Sequence, residues 1–229
     1  MGGLDVDPHA RVPGEPSGAG KADIGEGLNH QLFETMDIGR GAPRTGRHRH
    51  DRIAGQLARA VIDAIASWPN VNSSVGDDQL VVHNYVNLGI AVDLNHEGLL
   101  VPVIHDADTK RLRAIAREIS ALASRARAKR LTMDDISGGT FTITNAGPFG
   151  TLFTIPVINQ PQVAILATDG VRKRPVVVEL PDGTDGIAVH PVGNLVLAFD
   201  HRSFDGAYAS VFMGSLKEIL ETRDWPAEL

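Results

Sequence analysis

Near the C-terminus an unbroken apolar run, Leu195-Val196-Leu197-Ala198-Phe199, stops abruptly at Asp200-His201-Arg202-Ser203-Phe204-Asp205-Gly206-Ala207. A run with no polar residue inside it reads as a strand, and the segment from about Ala207 to Thr222 reads as a closing helix. The chain must therefore build a strand–turn–helix unit here, with a histidine at the turn. A histidine set among two carboxylates and an arginine is suited to removing a proton. Gly206 is expected to let the backbone turn tightly, so that the imidazole faces a cleft. By itself His-Arg-x-x-Asp-Gly recurs by chance. A second motif strengthens it, Gly138-Gly139-Thr140-Phe141-Thr142-Ile143-Thr144-Asn145-Ala146-Gly147.

Composition narrows the function classes. The 229 residues, 42% of them hydrophobic, suffice for a core in one large or two small domains. A net charge of −6 offers no basic face for phosphates, so nucleic acid is not an expected partner. Cysteine is absent, which removes disulfides, thiolate metal sites and a cysteine nucleophile, and fits a cytoplasmic setting. No apolar run approaches the ~18–20 residues needed to span a membrane.

The organisation divides near residue 50. Residues 1–50 carry Gly, Pro, His and charge without a sustained period, and are expected to be mostly disordered. The paired histidines of Arg47-His48-Arg49-His50 lack acidic or cysteine partners at ligand spacing, so a solvated basic tail is the better reading than a metal site. Order is expected from about Arg52, giving a domain over 51–229. Ile53, Leu57, Val61 and Ile65, with alanines between them, predict a small-residue helix that Pro69 ends. Leu80–Val82, Val86–Leu94 and Leu99–Ile104 read as strands, the last two joined by the turn Asn95-His96-Glu97-Gly98. Pro102 cannot donate to a ladder and should lie at an edge or a bulge.

Leu112, Ile115, Ala116, Ile119, Leu122, Ala123 and Ala126 form one stripe, predicting an amphipathic helix whose arginines face solvent. Thr132 is suited to cap a short helical turn through Asp135. In Thr140–Asn145, alternation puts Phe141 and Ile143 on one face and Thr140, Thr142 and Thr144 on the other. The threonines could be no more than a polar strand face. Gln162–Thr168, Val176–Leu180, Ile187–Val189 and Leu195–Phe199 complete the strands. The pattern as a whole is α/β.

Three motifs in order, Gly138–Gly147, Ile155-Pro156-Val157-Ile158-Asn159-Gln160-Pro161-Gln162-Val163-Ala164-Ile165-Leu166 and Asp200–Ala207, resemble the catalytic domain of the dihydrolipoyl acyltransferases of the 2-oxo acid dehydrogenase complexes. Pro69-Asn70-Val71-Asn72, Asn87–Asp93 and Leu99–Ile104 look like the family too, and the likeness runs from about Leu57 to Leu229. It implies a chloramphenicol-acetyltransferase-like fold, a mixed sheet covered by helices, assembled as a homotrimer or a larger core. It implies a site between neighbouring subunits, reached by coenzyme A from one side and a lipoyl arm from the other, with no metal. By position in the motifs, His201 matches the family's base, Thr144 its oxyanion-stabilising hydroxyl, and Asp205 a structural position that shapes the site through charge pairing. Asp200 and Arg202 are expected to hold the strand end and orient the histidine. His83, His105 and His190 are expected to cap strands or loops.

Three departures bear on this reading. Residues 1–50 do not resemble the segment that the family places before the first helix. No lipoyl-lysine motif is present, so the lipoyl group is expected on another chain, with decarboxylase and dihydrolipoyl dehydrogenase subunits as further partners. Ala146 stands where close relatives are expected to have proline. Two alternatives stay open: a catalytically incompetent, scaffold-forming relative, and a free-standing acetyltransferase acting on a small hydroxyl acceptor. Which acyl group is carried, acetyl, succinyl or branched-chain, is not legible.

Overall fold

The computed structural model describes residues 29–37, 47–76 and 79–228, with side chains from residue 53 onward. In chain order the elements are strand β1 (Asn29–Asp37), helix α1 (Arg47–Ser67), and strands β2 (Ser73–Val75), β3 (Leu80–Val82), β4 (Leu88–Ile90), β5 (Val92–Asp93), β6 (Leu99–Leu100) and β7 (Val103–Ile104). Helix α2 (Leu112–Arg127), strands β8 (Phe141–Asn145), β9 (Ala164–Thr168), β10 (Arg172–Glu179) and β11 (Asp185–Asp200), and helix α3 (Gly206–Thr222) follow.

Seven strands form one mixed sheet in the order β1-β11-β9-β8-β4-β7, with β10 also paired to β11. The β4–β8 and β8–β9 pairs are parallel and the others antiparallel. Two small ladders, β2–β3 and β5–β6, stand apart from it. This is the expected α/β architecture.

The helices follow the sequence periodicity. On α2, Leu112, Ile115, Ile119, Leu122 and Ala126 are buried. On α1, Ala58, Ala60, Val61 and Ala64 are fully buried, and the small side chains let α2 come close. A Cβ built on Gly55 would stand 2.9 Å from the Ala116 Cβ, so even alanine there would push the two helices apart. α1 packs against α3 as well. Phe141 of β8 meets Phe212 of α3 with ring centroids 6.3 Å apart, and both are fully buried. Each such side chain contributes about 1.5–3 kcal/mol of burial.

Several boundaries differ from expectation, each for a long-range reason. Val86–Leu94 is not one strand. β4 pairs with β7 and β8, whereas β5 pairs with β6 in a separate ladder. Leu99–Ile104 divides in the same way, and Pro102 falls in the break, accepting the Ile90 N–H through its carbonyl at 2.9 Å. In the opposite sense, Ile187–Val189 and Leu195–Phe199 belong to one 16-residue strand, β11. It exchanges β10 for β1 at Val192, with β9 alongside from Leu195, so its backbone groups find partners along its length. β2 was not anticipated at all.

Within the segment expected to be disordered, Asn29–Asp37 is a strand laid along β11 from Asp200 to Val192, and α1 begins at Arg47 rather than near Arg52. The pairing belongs to the backbone, which explains why no side-chain period announced it. The expectation for residues 1–28 and 38–46 lies outside the described residues, as do the side chains of Arg47–His50.

Candidate active site

β11 delivers His201. After Asp200 the chain makes a tight turn in which the Asp200 carbonyl accepts the Ser203 hydroxyl at 2.6 Å and the Ser203 N–H at 3.0 Å. The Asp200 carboxylate accepts Arg202 Nη2 at 2.6 Å, Nε at 3.0 and 3.1 Å, and the Arg202 backbone N–H at 2.9 Å. The Arg202 guanidinium thereby holds the Asp200 carboxyl below the ordinary carboxylate range. Both charges are satisfied within the turn, and His201 stays exposed between them.

An aromatic column supports the imidazole. Its ring stacks on Phe199 at 5.9 Å, and Phe199 stacks on Phe204 at 4.9 Å with the planes 13° apart. Phe204 leads on to Tyr208, which meets Trp68 edge-on at 5.3 Å. Phe199 and Phe204 are buried, so His201 stands on a packed base. These aromatics were not singled out from sequence. The available signal was the placement of Phe two residues before and three after the histidine.

Asp205 is the N-cap of α3, its Oδ1 accepting the Tyr208 N–H at 2.8 Å. Its described partner is thus a backbone donor, where the resemblance suggested charge pairing. Asp205→Ala should cost about 0.5–2 kcal/mol of stability and Asp205→Asn almost nothing, since Asn caps equally well. Urea unfolding of the two variants checks this. Gly206 opens the helix without positive φ, and a Cβ there would meet nothing within 4 Å, so the expected backbone latitude is not used.

β8 delivers Thr144. Of the threonines expected on one polar face, Thr140, just before the strand, accepts the Asn87 N–H at 3.0 Å, and Thr142 donates to Gln162 Oε1 at 2.6 Å; both are buried. Thr144 is half-buried at the strand end, and its hydroxyl has no partner among the described residues. Of the three it is the one available to an incoming group.

One chain does not bring Thr144 and His201 together. Thr144 lies level with Ala167, and Ala167 faces Val196, five residues before His201. At ~3.3 Å per residue and ~4.8 Å per strand step, the two Cα atoms stand about 19 Å apart. Thr144 and His201 therefore lie toward opposite ends of the sheet.

His83 and His105 sit in local polar contacts, Nε2 of His83 2.8 Å from the Ser74 hydroxyl and Nε2 of His105 3.0 Å from the Asp134 carbonyl.

The fold these elements build is that of chloramphenicol acetyltransferase, which superposes with a TM-score of 0.53 at 14% identity over 84% of this chain and 88% of that one. The chain belongs to the 2-oxoacid dehydrogenase acyltransferase (catalytic domain) family, whose model matches residues 47–226. It is 45% identical over 175 residues to a dihydrolipoyllysine-residue acetyltransferase component of pyruvate dehydrogenase complex from Mycobacterium bovis, covering 76% of this chain and 32% of that protein. It is 39% identical over 189 residues to the succinyltransferase component of the 2-oxoglutarate dehydrogenase complex of Escherichia coli K12, covering 81% and 45%. The chain thus spans less than half of the length of either relative, 32% of one and 45% of the other. Among solved structures, the Azotobacter vinelandii dihydrolipoamide acetyltransferase matches with a TM-score of 0.74 at 31% identity over 88% of this chain and 84% of that one.

Proposed function

We propose that this chain transfers an acyl group from a dihydrolipoyl thioester to the thiol of coenzyme A, at a site completed between neighbouring copies. The observation that carries the reading is the pair of half-sites, a hydroxyl at one end of the sheet and a supported histidine at the other. In the Azotobacter relative, a serine, a histidine and an asparagine were investigated for their role in the catalytic mechanism, the last two four positions apart. His201 and Asp205 have the same spacing, and Thr144 supplies the hydroxyl.

The steps balance without a protein-bound intermediate. An ordinary thiol has a pKa of about 8.5 and is mostly protonated at neutral pH. Neutral His201 takes the thiol proton as the sulfur attacks the thioester carbonyl. Negative charge collects on the carbonyl oxygen, where the Thr144 hydroxyl of the other copy donates to it. Collapse breaks the bond to the dihydrolipoyl sulfur, which leaves with the proton returned from His201. The products are acyl-coenzyme A and a free dihydrolipoyl thiol.

The lipoyl arm comes from another chain or domain, and the setting is a cytoplasmic 2-oxo acid dehydrogenase complex with decarboxylase and dihydrolipoyl dehydrogenase subunits. The acyl group stays open among acetyl, succinyl and branched-chain, since relatives named for each kind of complex are similar. The test follows acyl-coenzyme A formation from S-acetyl-, S-succinyl- and S-isobutyryl-dihydrolipoamide. Transfer well above that of His201→Ala supports the reading. Transfer no faster than that variant with all three donors overturns it in favour of a scaffold.

A further inference from the structure

The strand that carries Thr144 leaves the sheet beside a carboxylate that takes no part in the chemistry above. Asp169, one residue beyond β9, is 2% exposed. Its Oδ1 accepts the hydroxyls of Thr151 at 2.6 Å and Thr154 at 2.7 Å, and its Oδ2 accepts the Thr154 N–H at 3.1 Å. All three donors are neutral, and no cation pairs with Asp169 among the described residues. A carboxylate removed from water without a counter-charge is a costly way to brace a loop. Its placement shows what the bracing serves.

The Thr151 hydroxyl that meets Asp169 also stands 3.0 Å from the Ala146 carbonyl, two residues past Thr144. Ala146 in turn donates its N–H to the Thr168 carbonyl at 3.1 Å, and the Gly147 N–H donates to Asn145 Oδ1 at 2.9 Å. Across the other side, the Asp169 N–H donates to the Asn194 carbonyl at 3.1 Å, and Asn194 Nδ2 to the Leu152 carbonyl at 2.5 Å. The exits of β8 and β9 and the middle of β11 are thereby tied into one polar knot. It has no slack: a Cβ on Gly147 would stand 3.0 Å from the Asp169 carbonyl oxygen, and one on Gly170 3.0 Å from that of Thr151.

We infer that Asp169 is a positioning residue for Thr144: by holding the 151–154 loop, whose Thr151 carbonyl also accepts the Gly170 N–H at 3.0 Å, it fixes Thr168 and the Ala146 N–H bonded to it, and so the strand exit from which the catalytic hydroxyl is aimed. The inference rests on the acyl-transfer reading. It makes Asp169 responsible for where the donor stands, not for binding either substrate.

The experiment is a double-mutant cycle in the assembled protein, with acyl-coenzyme A formation as the readout. Asp169→Ala should lower kcat by about 10–100-fold, as a misplacement of order 1 Å does, with KM for both substrates within about twofold of wild type. Asp169→Asn should recover most of that loss, because its remaining oxygen still accepts both threonine hydroxyls. In a Thr144→Ala background, Asp169→Ala should cost little more, since no aimed hydroxyl is left to misplace. A merely structural role would not produce that non-additivity. If Asp169→Ala does not fold, Thr154→Val removes one of the two hydroxyls on Oδ1 and should show the same kcat-only loss and the same non-additivity on a smaller scale. Unchanged kcat in these variants, or a loss that multiplies fully with Thr144→Ala, overturns the inference. A wild-type chain as slow as His201→Ala is a different result, recognisable because all variants then read alike, and it overturns the acyl-transfer reading and this assignment together.

Discussion

Replacing His201 with alanine is expected to slow acyl transfer by about 10²–10⁴-fold, the usual worth of a positioned base, while leaving the unfolding midpoint nearly unchanged. The two halves of that expectation have separate physical origins. The imidazole is exposed, and the packing beneath it belongs to Phe199 and Phe204, which alanine at 201 leaves in place. The Asp200–Arg202 pair closes the turn through its own contacts and does not need the ring. The rate loss, by contrast, falls on the step in which the thiol must give up its proton. The deficit should therefore depend on pH. As pH rises toward about 8.5, an ordinary thiol ionises unaided, so the variant should gain rate and the gap to wild type should narrow. Steady-state rates from pH 6.5 to 9 measure this. A gap that stays constant, or widens with pH, would mean that His201 does not act by removing the thiol proton.

The parts of the molecule that could be read from sequence are those whose structure is decided locally. The stripe on α2, the existence of strand β8 and the helix after Asp205 each follow from residues within one element, whereas the expected polar face of β8 is buried at Thr142. Whatever depends on a distant partner was legible only in part. Val86–Leu94 looks like one strand because all of it suits a strand, and only the choice of neighbours divides it at Ala91. Ile187–Val189 and Leu195–Phe199 look like two because polar residues and Pro191 separate them, yet the ladders on β11 run through that stretch. β1 carries no apolar alternation and is defined by its ladder to β11.

The site divides in the same manner. His201 and Thr144 are proposed from short motifs, in which their residue types stand out. Their separation could not be read there, because it follows from the register of β8 on β9 and of β9 on β11. Asp169 escaped notice because an aspartate after a strand looks like any turn residue until its burial is known. The cap at Asp205 was visible as a position in the motif, but its function as a helix cap required the Tyr208 N–H to be seen in place.

Thr144→Ala should lower kcat by about 10²–10³-fold, the cost of removing one oxyanion donor, with KM for both substrates little changed. The hydroxyl meets charge that exists only after attack, so its loss falls on the transition state. The more informative result comes from combining it with His201→Ala. Each variant alone ruins every site it forms. If Thr144 and His201 meet within one chain, equal co-expression of the two variants gives only ruined sites. If they meet between neighbours in a cyclic assembly, about a quarter of the junctions pair an intact threonine with an intact histidine. Activity should then return to roughly that fraction of wild type, far above either variant alone. The measurement needs only the co-purified mixed assembly, its mass in solution and the initial rate. A mixed assembly of normal size that remains as slow as its parents would break the link between the two half-sites. The sheet register would then have to be reconciled with a site that one chain completes by itself, and about 19 Å separates the two residues there.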